Sequence, residues 1–256
     1  MSNQRYSPTG FGFLPPVVKN LLIINALFYV ATLVLGNTMR IDLTDYLGLH
    51  YFASPHFATY QFVSYMFMHN PHDFSHILFN MFALWMFGSV LEQVWGPKKF
   101  LIYYMITGIG AALIQILVIY IQVRNVEMSL TPDLIDQVRE TGFQVLQNNQ
   151  NFGDPLMAKL NELYNSSTIG ASGAVFGLLL AFGMLFPNSL IYLYFFIPIK
   201  AKWFVIIYGA IELFSGVYNT GSDVAHFAHL GGMIFGFFLI MYWKKYPNKH
   251  HNDYLQ

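Results

Sequence analysis

A serine and a histidine set in apolar segments are the residues of this chain best suited to chemistry: Ser172 in Gly170-Ala171-Ser172-Gly173, and His229 in Ala228-His229-Leu230-Gly231-Gly232. Polar side chains in such segments are costly unless they have a role. A serine hydroxyl is a weak nucleophile that needs a base within hydrogen-bond reach, and neutral histidine has the right basicity. Attack on an acyl group also creates an oxyanion, which needs donors already in place. Ser172 opens an apolar run, so backbone N–H groups of a first helical turn, at the positive end of the dipole, are available. His76 and Asn80 stand at i and i+4, face one way on a helix and can add side-chain donors.

The elements that must position these groups are membrane helices. Of 256 residues, 55% are hydrophobic and 10% charged, against roughly 25% charged in an average soluble domain. With zero formal net charge, nothing draws the chain to nucleic acid, and the lipid bilayer is its expected partner. The absence of cysteine excludes disulfides and cysteine catalysis. A spanning helix takes about 20 apolar residues. Six runs qualify: Val17 to Gly36, Ser75 to Val94, Phe100 to Val123, Gly170 to Phe186, Trp203 to Val217 and Ala225 to Trp243. The expected fold is therefore an all-α polytopic bundle of six transmembrane helices. A short N-terminus (1–16) precedes the membrane domain (17–243), which carries a polar insertion (124–168), and a tail (244–256) follows. Within the insertion, partial helical stripes predict two amphipathic helices lying on the membrane surface. The aromatic stretch Leu190 to Ile199 reads as re-entrant or interfacial.

Charge gives this arrangement a direction. Nine of the 13 bases, including Lys98, Lys99, Lys200, Lys202, Lys244 and Lys245, fall on one side, and ten of the 13 acids on the other. The positive-inside bias then puts both termini in the cytoplasm, with a bacterial inner membrane as the expected host. The starts of the second, fourth and sixth runs share the outer face. His76, Asn80, Ser172 and His229 consequently lie in one layer, roughly 3 to 10 Å below the interface at 1.5 Å per residue. Gly173 with Gly177, and Gly232 with Gly236, form small-xxx-small pairs that allow the fourth and sixth helices to approach closely.

At these residues the chain resembles the rhomboid family of intramembrane serine proteases. The matching motifs are His76-x-x-x-Asn80 with Gly88 and Glu92, Gly170-Ala171-Ser172-Gly173, and Ala228-His229-x-x-Gly232-x-x-x-Gly236. The resemblance implies a Ser172/His229 dyad without a catalytic aspartate. It also implies an oxyanion site from His76, Asn80 and the Ser172 amide, and a membrane-spanning protein substrate that unwinds locally to be cut. Two departures stand out. Phe176 occupies a position where the family often has tyrosine, and its ring can stack on His229 but not donate a hydrogen bond. Tyr60-Gln61 replaces a frequent tryptophan-arginine pair in the first loop. Polar residues of that loop, His69, Asn70 and Gln61, are candidates to line a wetted cavity.

Other readings accompany this one. One alternative is a rhomboid-like factor that binds or sorts membrane proteins without cutting them. A histidine-metal enzyme would use His226 with His229, or His72 with His76, at metal-ligand spacing. Asp73 and Asp223 are the only acids near those helix starts, and no metal or other cofactor is expected. Glu92 and Glu212, also in apolar runs, read as structural or headgroup contacts. Nothing in the sequence specifies an oligomeric state.

Overall fold

The computed structural model describes residues 14–193, 196–218 and 225–246. Asp223, Arg5, Lys249 and most of the two terminal segments lie outside them. The protein is an all-α polytopic membrane protein. Among the described residues, five helices are long and apolar enough to cross a bilayer: α1 (Pro16–Met39), α4 (Phe74–Trp95), α5 (Pro97–Glu127), α9 (Ala201–Tyr218) and α10 (His226–Lys245). A shorter apolar helix, α8 (Ser172–Leu185), supplies the fourth of the expected runs. Side chains left exposed on the long helices include Leu27, Phe79, Ile206, Phe214 and Phe238. Such a surface is penalised by water and tolerated by hydrocarbon.

α8 is the axis of the bundle. Every residue from Gly173 to Leu179 is buried, because α8 is packed by α4, α5, α9 and α10. Its 14 residues span about 21 Å, against roughly 30 Å of hydrocarbon. The helix begins at Ser172 itself rather than at Gly170. Two loop contacts hold this start in place. Leu49 and Thr168 form an antiparallel bridge, and the Gly170 amide donates to the Tyr65 carbonyl at 2.9 Å.

Glycines bring the backbones together, in a pattern more distributed than a simple pairing of α8 with α10. A Cβ on Gly232 would overlap the Gly173 carbonyl, which marks a close approach of α10 to α8. Gly173 and Gly177 also face Ala111 and Thr107 of α5, and Gly236 faces the Tyr103 hydroxyl of the same helix. Tyr103 donates to the Gly177 carbonyl at 2.9 Å. α5 therefore serves as the wall against which both site-bearing helices are set.

Glu92, buried near the end of α4, accepts from the Val17 and Val18 amides of α1 at 2.9 and 2.8 Å. A carboxylate at a helix N-terminus satisfies orphan donors and meets the positive end of the dipole. This is the structural contact expected for Glu92. Replacing it with glutamine weakens two charge-assisted bonds, and Glu92→Gln is expected to lower stability in detergent by about 1–3 kcal/mol. Thermal unfolding followed by helical circular dichroism measures this, and an unchanged midpoint would make the cap dispensable.

The first loop and the insertion form one body. α2 (Leu43–Leu47) and α3 (Gln61–Ser64) lie in the loop, while α6 (Pro132–Gln147) and α7 (Pro155–Asn165) form the insertion. The loop is tied by Gln61: its Oε1 accepts from the His50 and Ala58 amides, and its Nε2 donates to the Tyr46 and His56 carbonyls. A buried carboxamide thus supplies the anchoring that the missing tryptophan-arginine pair left open. α6 and α7 pack against each other and on this loop, with His56 against Phe143 and Tyr51 edge-on to Tyr164. Glu127 at the end of α5 accepts from both Arg139 and Tyr164 at 2.9 Å. These contacts seat the two expected helices of the insertion on the first loop.

Leu190 to Ile199, read from the sequence as re-entrant or interfacial, contains two paired strands. β1 (Leu190–Leu193) and β2 (Ile197–Lys200) pair antiparallel, with Ile191 opposite Ile199. A hairpin satisfies its inward backbone groups internally, which an extended apolar chain near lipid requires.

Candidate active site

Ser172 and His229 meet. The Ser172 Oγ lies 2.8 Å from His229 Nε2, joining the first turn of α8 to the first turn of α10. Ser172 is half-buried and His229 is buried. The Phe176 ring stacks on the imidazole at 4.2 Å with only 5° between the planes. Phe176 lies one turn after Ser172 on the same helix, so one element presents the hydroxyl and supports its partner.

The other imidazole nitrogen has a partner that sequence reading missed. Glu212 Oε2 lies 2.9 Å from His229 Nδ1 and 2.6 Å from His226 Nδ1. Glu212 is buried on α9. Its carboxylate accepts from Nδ1–H of His229, and that tautomer leaves Nε2 bare to accept the serine proton. The intramembrane acid was itself the signal, since an ionisable group in an apolar run marks a functional contact. What the sequence withheld was which helix face it would meet.

His76 and Asn80 are on α4 beside the start of α8. Gly170 has φ of +125°, a conformation that favours glycine, and a Cβ there would lie 2.8 Å from His76 Nε2 and 3.5 Å from Ser172 Oγ. The imidazole and the hydroxyl therefore flank one small space that any side chain at position 170 would fill. Asn80 Nδ2 donates to the His76 carbonyl at 2.9 Å; a carboxamide has two N–H donors, which leaves one for another acceptor. Ala171 makes no side-chain cap on α8, so its first-turn amides are not taken up by a capping side chain.

The proposed water-lining residues stand differently. Gln61 and His69 are fully buried, Gln61 as the loop's tie and His69 edge-on to the His76 ring at 5.1 Å. Burial, with His76 alongside, pushes His69 down to about 3, so it supports His76 as an uncharged ring. Asn70 is partly exposed, and its amide approaches His76 Nδ1 at 3.4 Å.

The expected weakness of a histidine-metal reading, the lack of a placed carboxylate, does not hold geometrically. Glu212, His226 and His229 each offer a ligand atom, all within 4.8 Å of one another.

Comparison with known proteins gives two findings. A family model described as "Eukaryotic integral membrane protein (DUF1751)" matches residues 21–255. The chain is also similar to Rhomboid protein 1, mitochondrial, of Saccharomyces cerevisiae, with 26% identity over 184 residues, 72% of this chain and 42% of that protein. The chain thus spans less than half the length of the curated relative it matches. Together they support a rhomboid-related, multi-pass integral membrane protein. The family description is eukaryotic and gives no support to the bacterial inner membrane expected from the sequence.

Proposed function

We propose that this chain, which belongs to the eukaryotic integral membrane protein family DUF1751, is an intramembrane serine endopeptidase that cleaves transmembrane segments of other membrane proteins. The observation that carries the reading is the 2.8 Å contact between Ser172 Oγ and His229 Nε2. Nδ1 of the same imidazole is turned to Glu212 at 2.9 Å.

In this reading Ser172 Oγ attacks the scissile carbonyl while His229 Nε2 takes its proton. The carbonyl oxygen becomes an oxyanion held by the Ser172 amide, His76 and Asn80. His229 then gives the proton to the leaving amine, the C–N bond breaks, and an acyl-serine remains. Water repeats the sequence: His229 removes its proton, the hydroxyl adds to the acyl carbon, and Ser172 regains its hydrogen as the acid leaves. Glu212 touches no reacting atom and acts as a positioning residue for His229. The bilayer and a transmembrane protein are its partners, and the positive-inside charge bias supports cytoplasmic termini.

The test is labelling with a serine-directed fluorophosphonate together with cleavage of a reconstituted transmembrane substrate. Wild type is expected to show both and Ser172→Ala neither, with its helical signal unchanged. Cleavage by Ser172→Ala would overturn the mechanism. A second reading, a rhomboid-related protein that binds membrane proteins without cutting them, draws on a family description that states no activity. It predicts substrate capture by wild type and Ser172→Ala alike, with no cleavage or labelling by either.

A further inference from the structure

We infer that Glu212, His226 and His229 form a divalent-cation site, suited to zinc, whose occupancy switches off His229 as a base. The inference rests on the proposed serine mechanism for its consequence, but not for the binding itself.

Charge motivates it. Glu212 is buried on a membrane helix, and among the described residues its ion-pair partners are His226 and His229 alone. A buried carboxylate in apolar surroundings requires a compensating positive charge. A proton on His226 is one source and a metal ion is another.

Donor chemistry and geometry fit the metal. Two imidazoles and a carboxylate are a common zinc set, with Zn–N and Zn–O near 2.0–2.2 Å in a tetrahedral arrangement. That geometry separates neighbouring ligand atoms by about 3.3 Å. The carboxylate oxygen now stands 2.6 and 2.9 Å from the two Nδ1 atoms. Opening each contact by less than about 1 Å makes room for the ion. The ligands come from α9 and from the first turn of α10, and the ligand atoms already lie within 4.8 Å of one another.

The proton balance makes occupancy inhibitory. A metal takes a bare imidazole nitrogen. Ligation through His229 Nδ1 therefore displaces the proton now directed at Glu212, and a neutral ring must carry its hydrogen on Nε2. That N–H faces Ser172 Oγ, where a proton acceptor is needed. The same atom cannot ligate the ion and leave its ring competent as a base.

The experiment uses the full chain in detergent, freed of metal with EDTA. Zinc is titrated into Ser172→Ala by calorimetry, which reads binding without cleavage. One zinc per chain is expected, weakened by His226→Gln by at least the roughly 10- to 100-fold that losing a supporting partner costs at metal sites. Zinc is expected to inhibit wild-type cleavage, EDTA to restore it, and His226→Gln to shift the inhibition curve to higher zinc by a similar factor. No binding to Ser172→Ala, or equal binding by its His226→Gln form, would overturn the site. Cleavage that requires zinc would overturn the inhibitory role and favour a metal hydrolase. Zinc binding by a chain with no cleavage at all would uphold the site while refuting the protease.

Discussion

His229→Ala is expected to lower cleavage of a reconstituted transmembrane substrate by about 10³-fold or more. The imidazole is the base that the Ser172 hydroxyl bonds to at 2.8 Å. A hydroxyl without its base is a nucleophile only in the small fraction ionised by solvent, and at a half-buried site that fraction is small. The two residues act as one unit, so their losses should not add. The double substitution Ser172→Ala/His229→Ala is expected to cleave no more slowly than either single one. Rates per folded molecule check this, with a fluorophosphonate count of competent sites. A double substitution several orders of magnitude slower than the singles would mean that serine and histidine serve separate steps. His76 would then be the next base to test.

Glu212→Gln should have the second-largest effect, on the order of 10²- to 10⁴-fold in kcat. Glutamine keeps the shape of the side chain but gives up the charge that stabilises an imidazolium, and its N–H₂ can turn the ring to the wrong tautomer. The loss should fall on kcat with KM nearly unchanged, because Glu212 makes no contact expected of a substrate. Fluorophosphonate labelling should slow in parallel. A merely structural role would lower the unfolding midpoint and leave kcat per folded molecule intact, and that outcome would remove Glu212 from the mechanism. Glu92→Gln provides the contrast: another buried intramembrane acid, but one bound to the Val17 and Val18 amides, expected to alter stability and not kcat.

Different parts of this arrangement were legible to different degrees. The spans are written in apolar runs, and the long helices extend only a few residues beyond them. Ser172 and His229 stand out because a hydroxyl and an imidazole are expensive in lipid, and topology puts both at helix starts on one face. Glu212 and Glu92 are equally conspicuous, yet composition cannot tell them apart. Their partners depend on how one helix rotates against another, which Phe176, Gly173 and Gly232 decide through packing that has no period in the sequence. The start of α8 is hidden for another reason. Glycine and alanine are common in membrane helices, and it is the positive φ of Gly170 and its bond to Tyr65 that show the helix has not begun. The insertion's stripes announce two helices, but their seat on the first loop depends on rings such as His56 and Phe143 from distant parts of the chain.

The length of α5 has a consequence for what the protein can admit. Its 31 residues reach about 46 Å, some 16 Å more than the hydrocarbon is thick. In the proposed topology the outer end of α5 carries Glu127, which fastens Arg139 and Tyr164 and so ties α6 and α7 over it like a canopy. In the proposed topology a client protein must pass its stem beneath or beside that canopy before its span can enter. An extended chain covers about 3.3–3.6 Å per residue, so clearing up to about 16 Å takes at most about five residues. Clients with shorter stems between span and folded ectodomain would be refused by bulk alone, whatever the sequence at the bond to be cut.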